Sequence, residues 1–321
     1  MRDALREAMS EEMRRDETIY LMGEEVAEYN GAYKVSQGML AEFGEKRIID
    51  TPIAELGFTG ISVGAAMNGL RPIVEFMTWN FAILAADQII NSAAKMLQMS
   101  GGQINVPIVF RGGNGSAGQL AATHSQSFET FYGHIPGLKV LSPSNPYDAK
   151  GLLKAAIRDN DPVVFLESER MYGDKGEVPE GDYLVPFGKA RMVSEGTDCT
   201  LVATGRMVSF CEDAANSLAA DGISCDILDP RTTSPLDEDA ILDSVEKTGR
   251  LIVVDETPPR CSFAADVAAL AASEVFSSLK APIKTVTGPH SPVPFAKELE
   301  NAFLPSPLKI KTVIEQTVKY S

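Results

Sequence analysis

"LRPIVEFMTWNFAILAADQIINSAAKML", Leu70 to Leu97, carries the pattern from which the fold is read. Its opening, "LRPIVEFM", is short and almost continuously apolar, as in a strand covered on both faces. The rest, "NFAILAADQIINSAAKML", is long and alanine-rich, and predicts a long buried helix. A strand that feeds a helix in this way is half of a βαβ unit. The alternation recurs on the C-terminal side. "VPIVFR" reads as a strand ending in a Gly-rich loop and "LKVLSPS" as another. Ser144 or Asn145 caps a helix that opens at Pro146, and "PVVFLES" is a further strand. Apolar strands joined by helices imply a parallel sheet with helices on both faces.

"YGDKGEVPEGDYLVPFG", Tyr172 to Gly188, is rich in Gly, Pro and charge and breaks that rhythm, so it reads as a linker. Beyond it the alternation resumes with "CTLVAT", a helix from about Met207 to Ala220, "ISCDILDP", a helix over "LDEDAILDSVEKT", "RLIVVDE", a helix over "SFAADVAALAASEVF", "PIKTVTG" and a terminal helix. The expectation is an α/β protein of two domains, residues 1–175 and 189–321, joined by residues 176–188. At the N-terminal end, Leu5, Ala8, Met9 and Met13 fall at helical spacing.

The chain has 321 residues and a formal charge of -15, which argues against a nucleic-acid backbone as partner. The acidity is spread, with 25 acids against 16 bases through Pro186 and 19 against 13 after it. The four cysteines show no metal spacing and no disulfide framework, which fits a reducing compartment. No apolar run approaches the roughly 20 residues that span a bilayer, so no membrane association is expected. "MRDALREAMSEEMRRD" lacks a signal core, and its acids argue against a transit peptide. The expected location is the bacterial cytoplasm, or the mitochondrial matrix if a transit peptide has been removed.

"GNGSAG", Gly113 to Gly118, matches G-x-G-x-x-G after a strand. A dinucleotide site also needs an acid about 20 residues on, at the end of the next strand, and that strand ends in serines. A tight loop that positions nearby side chains is the better reading. There are three histidines. His134 and His290 sit in turn-like contexts suited to structural hydrogen bonds. His124, in "AATHSQS" just past the loop, could be structural or an accessible acid or base near neutral pH.

"IIDTPIAELGFTGISVGAAMNG", Ile48 to Gly69, sets one carboxylate, Glu55, among apolar and small residues. A capping box would need Glu three residues after Thr51, and Glu55 is four after it. Either Glu55 supports the local backbone or it faces something that wants a carboxylate. Gly57, Gly60 and Gly64 leave a smooth helix face that another backbone can approach.

"EEVAEYNGAYKVSQGML", "RIIDTPIAELGFTGISVGAAMNGLRPIVEFMTWNF", "DQIINSAAK", "PIVFRGGNG", "HSQSFE", "DPRTTSPLDEDAI" and "PHSPVPF" together resemble the beta subunits of 2-oxo acid dehydrogenases, most closely those of the pyruvate dehydrogenase complex. The resemblance covers essentially the whole chain and implies a transketolase-like pyrimidine-binding domain followed by a transketolase C-terminal domain. It implies thiamine diphosphate as cofactor. Glu55 would bond N1′ of the aminopyrimidine, promoting the tautomer whose 4′-nitrogen takes the thiazolium C2 proton, and Met77 and Phe81 would pack around that ring. His124 matches a histidine that assists acyl transfer to a lipoyl group. The backbone oxygens of Ile108, Ala156, Ile157, Asp159 and Asp161 match a potassium site. Trp79 stands where relatives usually carry Phe, at the expected pocket wall.

Magnesium-diphosphate sites of thiamine enzymes carry Gly-Asp-Gly and then Asn-Asn, and neither is in this sequence. The chain is therefore expected to hold half a site. An alpha subunit would supply the rest, including Mg2+, in an α2β2 heterotetramer that serves a lipoyl acyltransferase core. "EFMTWNF" favours pyruvate as substrate. "GISCDILDPRTTSPLDED" leans toward acetoin dehydrogenases, and branched 2-oxo acids come third. A non-catalytic docking subunit is the reading from a different class.

Overall fold

Parallel strands dominate both halves of the chain, as continuous apolar runs require. The structure is a computed structural model and describes residues 1–320. Its chain divides into two units: residues 1–114 with 131–186, and residues 115–130 with the chain from Phe187 on.

The first unit contains β1 (Ile19–Gly23), β2 (Ile48–Asp50), β3 (Arg71–Thr78), β4 (Val109–Asn114), β5 (Lys139–Leu141) and β6 (Val163–Ser168). They lie in the order β5-β6-β4-β3-β1-β2, every pair parallel. β4 is buried at every residue, and β3 and β6 at nearly every one, as expected for strands covered on both faces. The helix Arg2–Arg15 buries Leu5, Ala8, Met9 and Met13, the four residues at helical spacing. Of the two candidate caps, Asn145 is the one used: its side chain accepts from the Asp148 N–H at 2.8 Å, and Pro146 opens the helix Pro146–Arg158.

The long buried helix expected after β3 is a broken one. The chain runs as α-helix over Trp79–Ala82, 3-10 helix over Ile83–Ala85, π-helix over Gln88–Ala93 and α-helix again over Ala94–Met99. Nor is it buried all round, since Ile83, Leu84 and Met99 are exposed. Apolar composition had been read as burial within the chain, whereas part of this segment faces outward.

In the second unit, β7 (Arg191–Ser194), β8 (Cys199–Ala203), β9 (Cys225–Asp229), β10 (Thr232–Ser234), β11 (Leu251–Val254) and β12 (Lys284–Val286) follow in sequence. One sheet runs β12-β11-β8-β9-β7, parallel except for the edge strand β7, which is antiparallel to β9. Alternate residues feed opposite faces. Leu201, Ala203, Ile252 and Val254 pack with residues of the helices Met207–Asn216 and Pro307–Val318. Val202, Leu251 and Val253 pack with residues of Glu238–Thr248 and Phe263–Glu274. Both faces are thus covered.

Candidate active site

Three adjacent parallel strands, β2, β1 and β3, bring their C-terminal ends to one edge of the first sheet. Gly23 pairs with Asp50 on one side and Glu75 on the other. Open α/β sheets bind ligands at that edge. Glu24 leaves β1 there, Glu55 opens the helix that follows β2, and Met77 and Phe81 lie at and just past the end of β3. The register demands glycine at position 23, because a Cβ there would run into the Glu75 carbonyl oxygen.

Glu55 is the first residue of the helix Glu55–Met67 and is only 4% exposed. Neither Thr51 nor Pro52 begins that helix, and Ala54 caps it without a side-chain bond. Glu55 therefore takes no part in a capping box. The helix is tied to β1 by the Tyr20 hydroxyl, which donates to Ser62 Oγ at 3.3 Å, and packs on β3 through Phe58 and Phe76. Met77 and Phe81 are half-buried, while their neighbours Phe76 and Trp79 are fully buried. The expected ring-contacting residues are thus the accessible ones of the segment.

Sequence reasoning passed over Glu24. It is 6% exposed, its carboxyl hydrogen-bonds that of Glu55, and its Oε1 is buried without a partner. Burial and the adjacent Glu55 push Glu24 up to about 7. Its loop is pinned by Asp50, whose carboxylate accepts from the Ala27 and Glu28 N–H groups at 2.7 and 3.1 Å, and by Ser36 Oγ donating to the Val26 carbonyl at 2.7 Å. The available signal was three acids within residues 24–28, of which only Glu24 is buried. A second carboxyl, Glu169, follows β6 at the same sheet edge. Burial pushes it to about 7 against a hydrogen bond from Tyr33.

Within the sheet lies a buried ion cluster. Arg111 on β4 donates from Nε to Glu167 Oε1 at 2.6 Å and from Nη1 to Glu75, and Tyr172 Oη donates to Glu167 Oε2 at 2.8 Å. The guanidinium joins β3, β4 and β6. Trp79 is also internal rather than part of a pocket wall. It is 0% exposed, donates from Nε1 to the Phe165 carbonyl at 3.2 Å and packs on Phe76 and Tyr132.

His124 belongs to the second unit, on a 3-10 turn (Ala122–His124) of the segment 115–130, and is half-buried. Its Nδ1 is 3.0 Å from Thr123 Oγ1. His134 and His290 are exposed. The loop before His124 closes through the Gly115 N–H to the Gln126 carbonyl at 2.9 Å. Its amides face carboxylates: Ser116 N–H donates to Glu256, and Gly118 and Gln119 donate to Glu300 at 3.0 and 2.7 Å. Donors already given to two carboxylates do not cradle a pyrophosphate, which accounts physically for rejecting the dinucleotide reading.

The proposed potassium carbonyls gather around the C-terminal end of the helix Pro146–Arg158, where partial negative charge accumulates. Ile157 and Asp159 oxygens accept from Arg71 Nη1 at 3.1 and 2.8 Å. Ile108 and Ala156 oxygens accept from backbone N–H groups of Val163 and Asp159 at 2.9 and 3.2 Å. Each keeps a second lone pair. The Asp159 and Asp161 carboxylates pair with Lys139 Nζ at 2.7 and 3.0 Å.

Residues 1–175 match the family described as transketolase, pyrimidine binding domain, and residues 188–310 match transketolase, C-terminal domain. The chain is 53% identical over 316 residues to the pyruvate dehydrogenase E1 component subunit beta of Rhizobium meliloti (strain 1021), covering 98% of this chain and 69% of that protein. To the mitochondrial pyruvate dehydrogenase E1 component subunit beta of Bos taurus it is 50% identical over 323 residues, covering 99% and 90%. Among solved structures, a split gene transketolase described as an inactive beta4 tetramer superposes with a TM-score of 0.79 at 19% identity, covering 99% of this chain and 98% of that one, a likeness of fold. With both transketolase regions present and about half of its residues shared with these relatives over nearly its whole length, the chain belongs to the family of pyruvate dehydrogenase E1 component beta subunits.

Proposed function

We propose that this chain is the catalytic beta half of a pyruvate dehydrogenase, acting in an α2β2 heterotetramer with thiamine diphosphate shared between the subunits. The reading divides the chain into a pyrimidine-binding domain (1–175), a linker (176–188) and a C-terminal domain (189–321). The observation that carries it is the buried Glu24–Glu55 carboxyl pair at a strand-end edge, flanked by half-buried Met77 and Phe81. That set of side chains suits a flat apolar ring with one basic nitrogen, and the buried Glu24 Oε1, without a hydrogen-bond partner, is an acceptor such a group could satisfy. When bound, thiamine diphosphate supplies the carbanion chemistry and holds the electrons released by decarboxylation.

The chain's own residues do the rest. Glu55 holds a proton at the pyrimidine N1′ position in apolar surroundings, where a hydrogen bond to an ionised group is strengthened. Glu24, pushed up to about 7 by burial and the adjacent Glu55, supplies a neutral carboxyl beside it. Met77 and Phe81 orient the ring and exclude water. His124 serves the acyl transfer to a lipoyl domain of the acyltransferase core. Mg2+ is assigned to the alpha subunit, and K+ to the carbonyls of Ile108, Ala156, Ile157, Asp159 and Asp161.

The partner is supported by exposed Ile53, Leu56, Ile61, Ile83 and Leu84 on neighbouring segments. Exposed apolar side chains on adjoining segments suit an interaction surface. No described helix is long and apolar enough to cross a membrane. Relatives named from a bacterium and from mitochondria support the bacterial cytoplasm or the mitochondrial matrix as the place.

The test is Glu55→Gln in the reconstituted heterotetramer, assayed for pyruvate decarboxylation with an artificial electron acceptor. Gln keeps the shape but cannot hold the proton, and turnover is expected to fall by about 10²–10⁴. Near-normal decarboxylation by a folded variant would falsify the assignment.

A further inference from the structure

We propose that Glu300 is a positioning residue for His124, acting through the loop 115–124; the proposal rests on the acyl-transfer reading of His124. Glu300 lies in the helix Lys297–Phe303 and is 1% exposed. Three donors of one short loop converge on its carboxylate: Ser116 Oγ, and the N–H groups of Gly118 and Gln119 at 3.0 and 2.7 Å. Bonds to an ionised acceptor are the stronger kind, and burial shields them from water. Glu256, just past β11, takes the Ser116 N–H as a second clamp.

The loop needs such restraint. Gln119 and Ala121 both sit at positive φ, 61° and 65°, and Ala121 has ψ -169°, a region suited to glycine. Non-glycine residues stay there only where surrounding contacts over-determine the backbone. Three residues after Ala121 comes His124, whose N–H donates to the Ala121 carbonyl at 3.2 Å. The path from the Glu300 carboxylate to the imidazole is therefore a few strained residues long. The second unit uses its distant helix to set the direction of a histidine that precedes it by well over a hundred residues.

Glu300→Gln puts an amide NH2 against a loop donor while keeping the volume, and Ser116→Ala removes one donor only. Both are measured in the reconstituted heterotetramer beside His124→Ala, by pyruvate decarboxylation with an artificial acceptor and by reductive acylation of a lipoyl domain. Amide hydrogen exchange across residues 115–124 is followed in parallel. For Glu300→Gln, kcat for lipoyl transfer is expected to fall by about 10²-fold, the order of loss for a slightly misplaced group. That fall should exceed any loss in decarboxylation, leave KM for the lipoyl domain near its normal value, and accompany faster exchange in the loop. Ser116→Ala should show the same pattern more weakly. Wild-type transfer in Glu300→Gln, with transfer lost in His124→Ala, would overturn the proposal, as would unchanged exchange in the loop. If His124→Ala leaves both assays at wild-type rates, the acyl-transfer reading itself falls, whatever Glu300 does to the loop.

Discussion

Glu24 and Glu55 are two acids that a bare sequence presents as unrelated, 31 positions apart, yet their carboxyls are hydrogen-bonded at one strand edge. The consequence is a signed pH dependence. In the folded chain Glu24 holds its proton up to about pH 7, whereas its ordinary value is 4.5. Between those pH values the folded state binds more protons than the unfolded one, so this carboxyl's contribution to stability declines as pH rises through the window. Glu24→Gln cannot ionise and should escape that decline. Its thermal midpoint relative to wild type is expected to be higher at pH 8 than at pH 5. A difference that does not change with pH would rule out the raised carboxyl. Trp79 teaches the opposite lesson. Expected at a pocket wall, its ring is instead core, and its N–H is spent on the Phe165 carbonyl.

β3, β4 and β6 are held in mutual register by more than backbone bonds, because Arg111 bridges the carboxylates of Glu75 and Glu167 in the sheet's interior. Burial pushes Glu75 up, and Arg111 opposes it. Replacing Arg111 by Met would leave two acids buried together without their cation. The expected loss is roughly 3–5 kcal/mol, the order found when one partner of a buried ion pair is removed. Urea unfolding of Arg111→Met reads it, and a loss under about 1 kcal/mol would mean that the cluster contributes little beyond an apolar filling. The irregular helical run from Trp79 to Met99 matters at the same level. Ile83 and Leu84 on its 3-10 turn are exposed, as are Leu56 and Ile61 on the helix Glu55–Met67 that adjoins it.

As a whole, on the proposed reading the chain supplies the pyrimidine side of the cofactor site and its sequence lacks the Gly-Asp-Gly and Asn-Asn motifs, so it is expected to be inactive alone and to bind thiamine diphosphate weakly even with Mg2+. Calorimetric titration of the purified chain checks this, and tight magnesium-dependent binding would contradict the half-site. Reconstitution with an alpha subunit should restore both binding and turnover. With Trp79 in the core, the preference for pyruvate rests on the relatives rather than on a pocket wall. kcat/KM on pyruvate, acetoin and 2-oxoisovalerate is expected to rank in that order, and a first place for 2-oxoisovalerate would reverse it.

The strands of "PIVEFM", "VPIVFR" and "PVVFLES", the Asn145 cap and the Leu5–Met13 stripe were all legible in advance, because periodicity and capping act within about four residues. Glu55 stood out for the same reason: an acid among apolar neighbours is a local anomaly. β1, β2, β7 and β10 went unread, the last three being only three or four residues long and β7 alternating in exposure at an edge. The pairing of Glu24 with Glu55, the Arg111 cluster, the burial of Trp79 and the grip of Glu300 on the loop before His124 left no local mark. Each depends on strand order and helix packing that join residues from 31 to 184 positions apart, and no spacing rule along the chain encodes which parallel strands become neighbours.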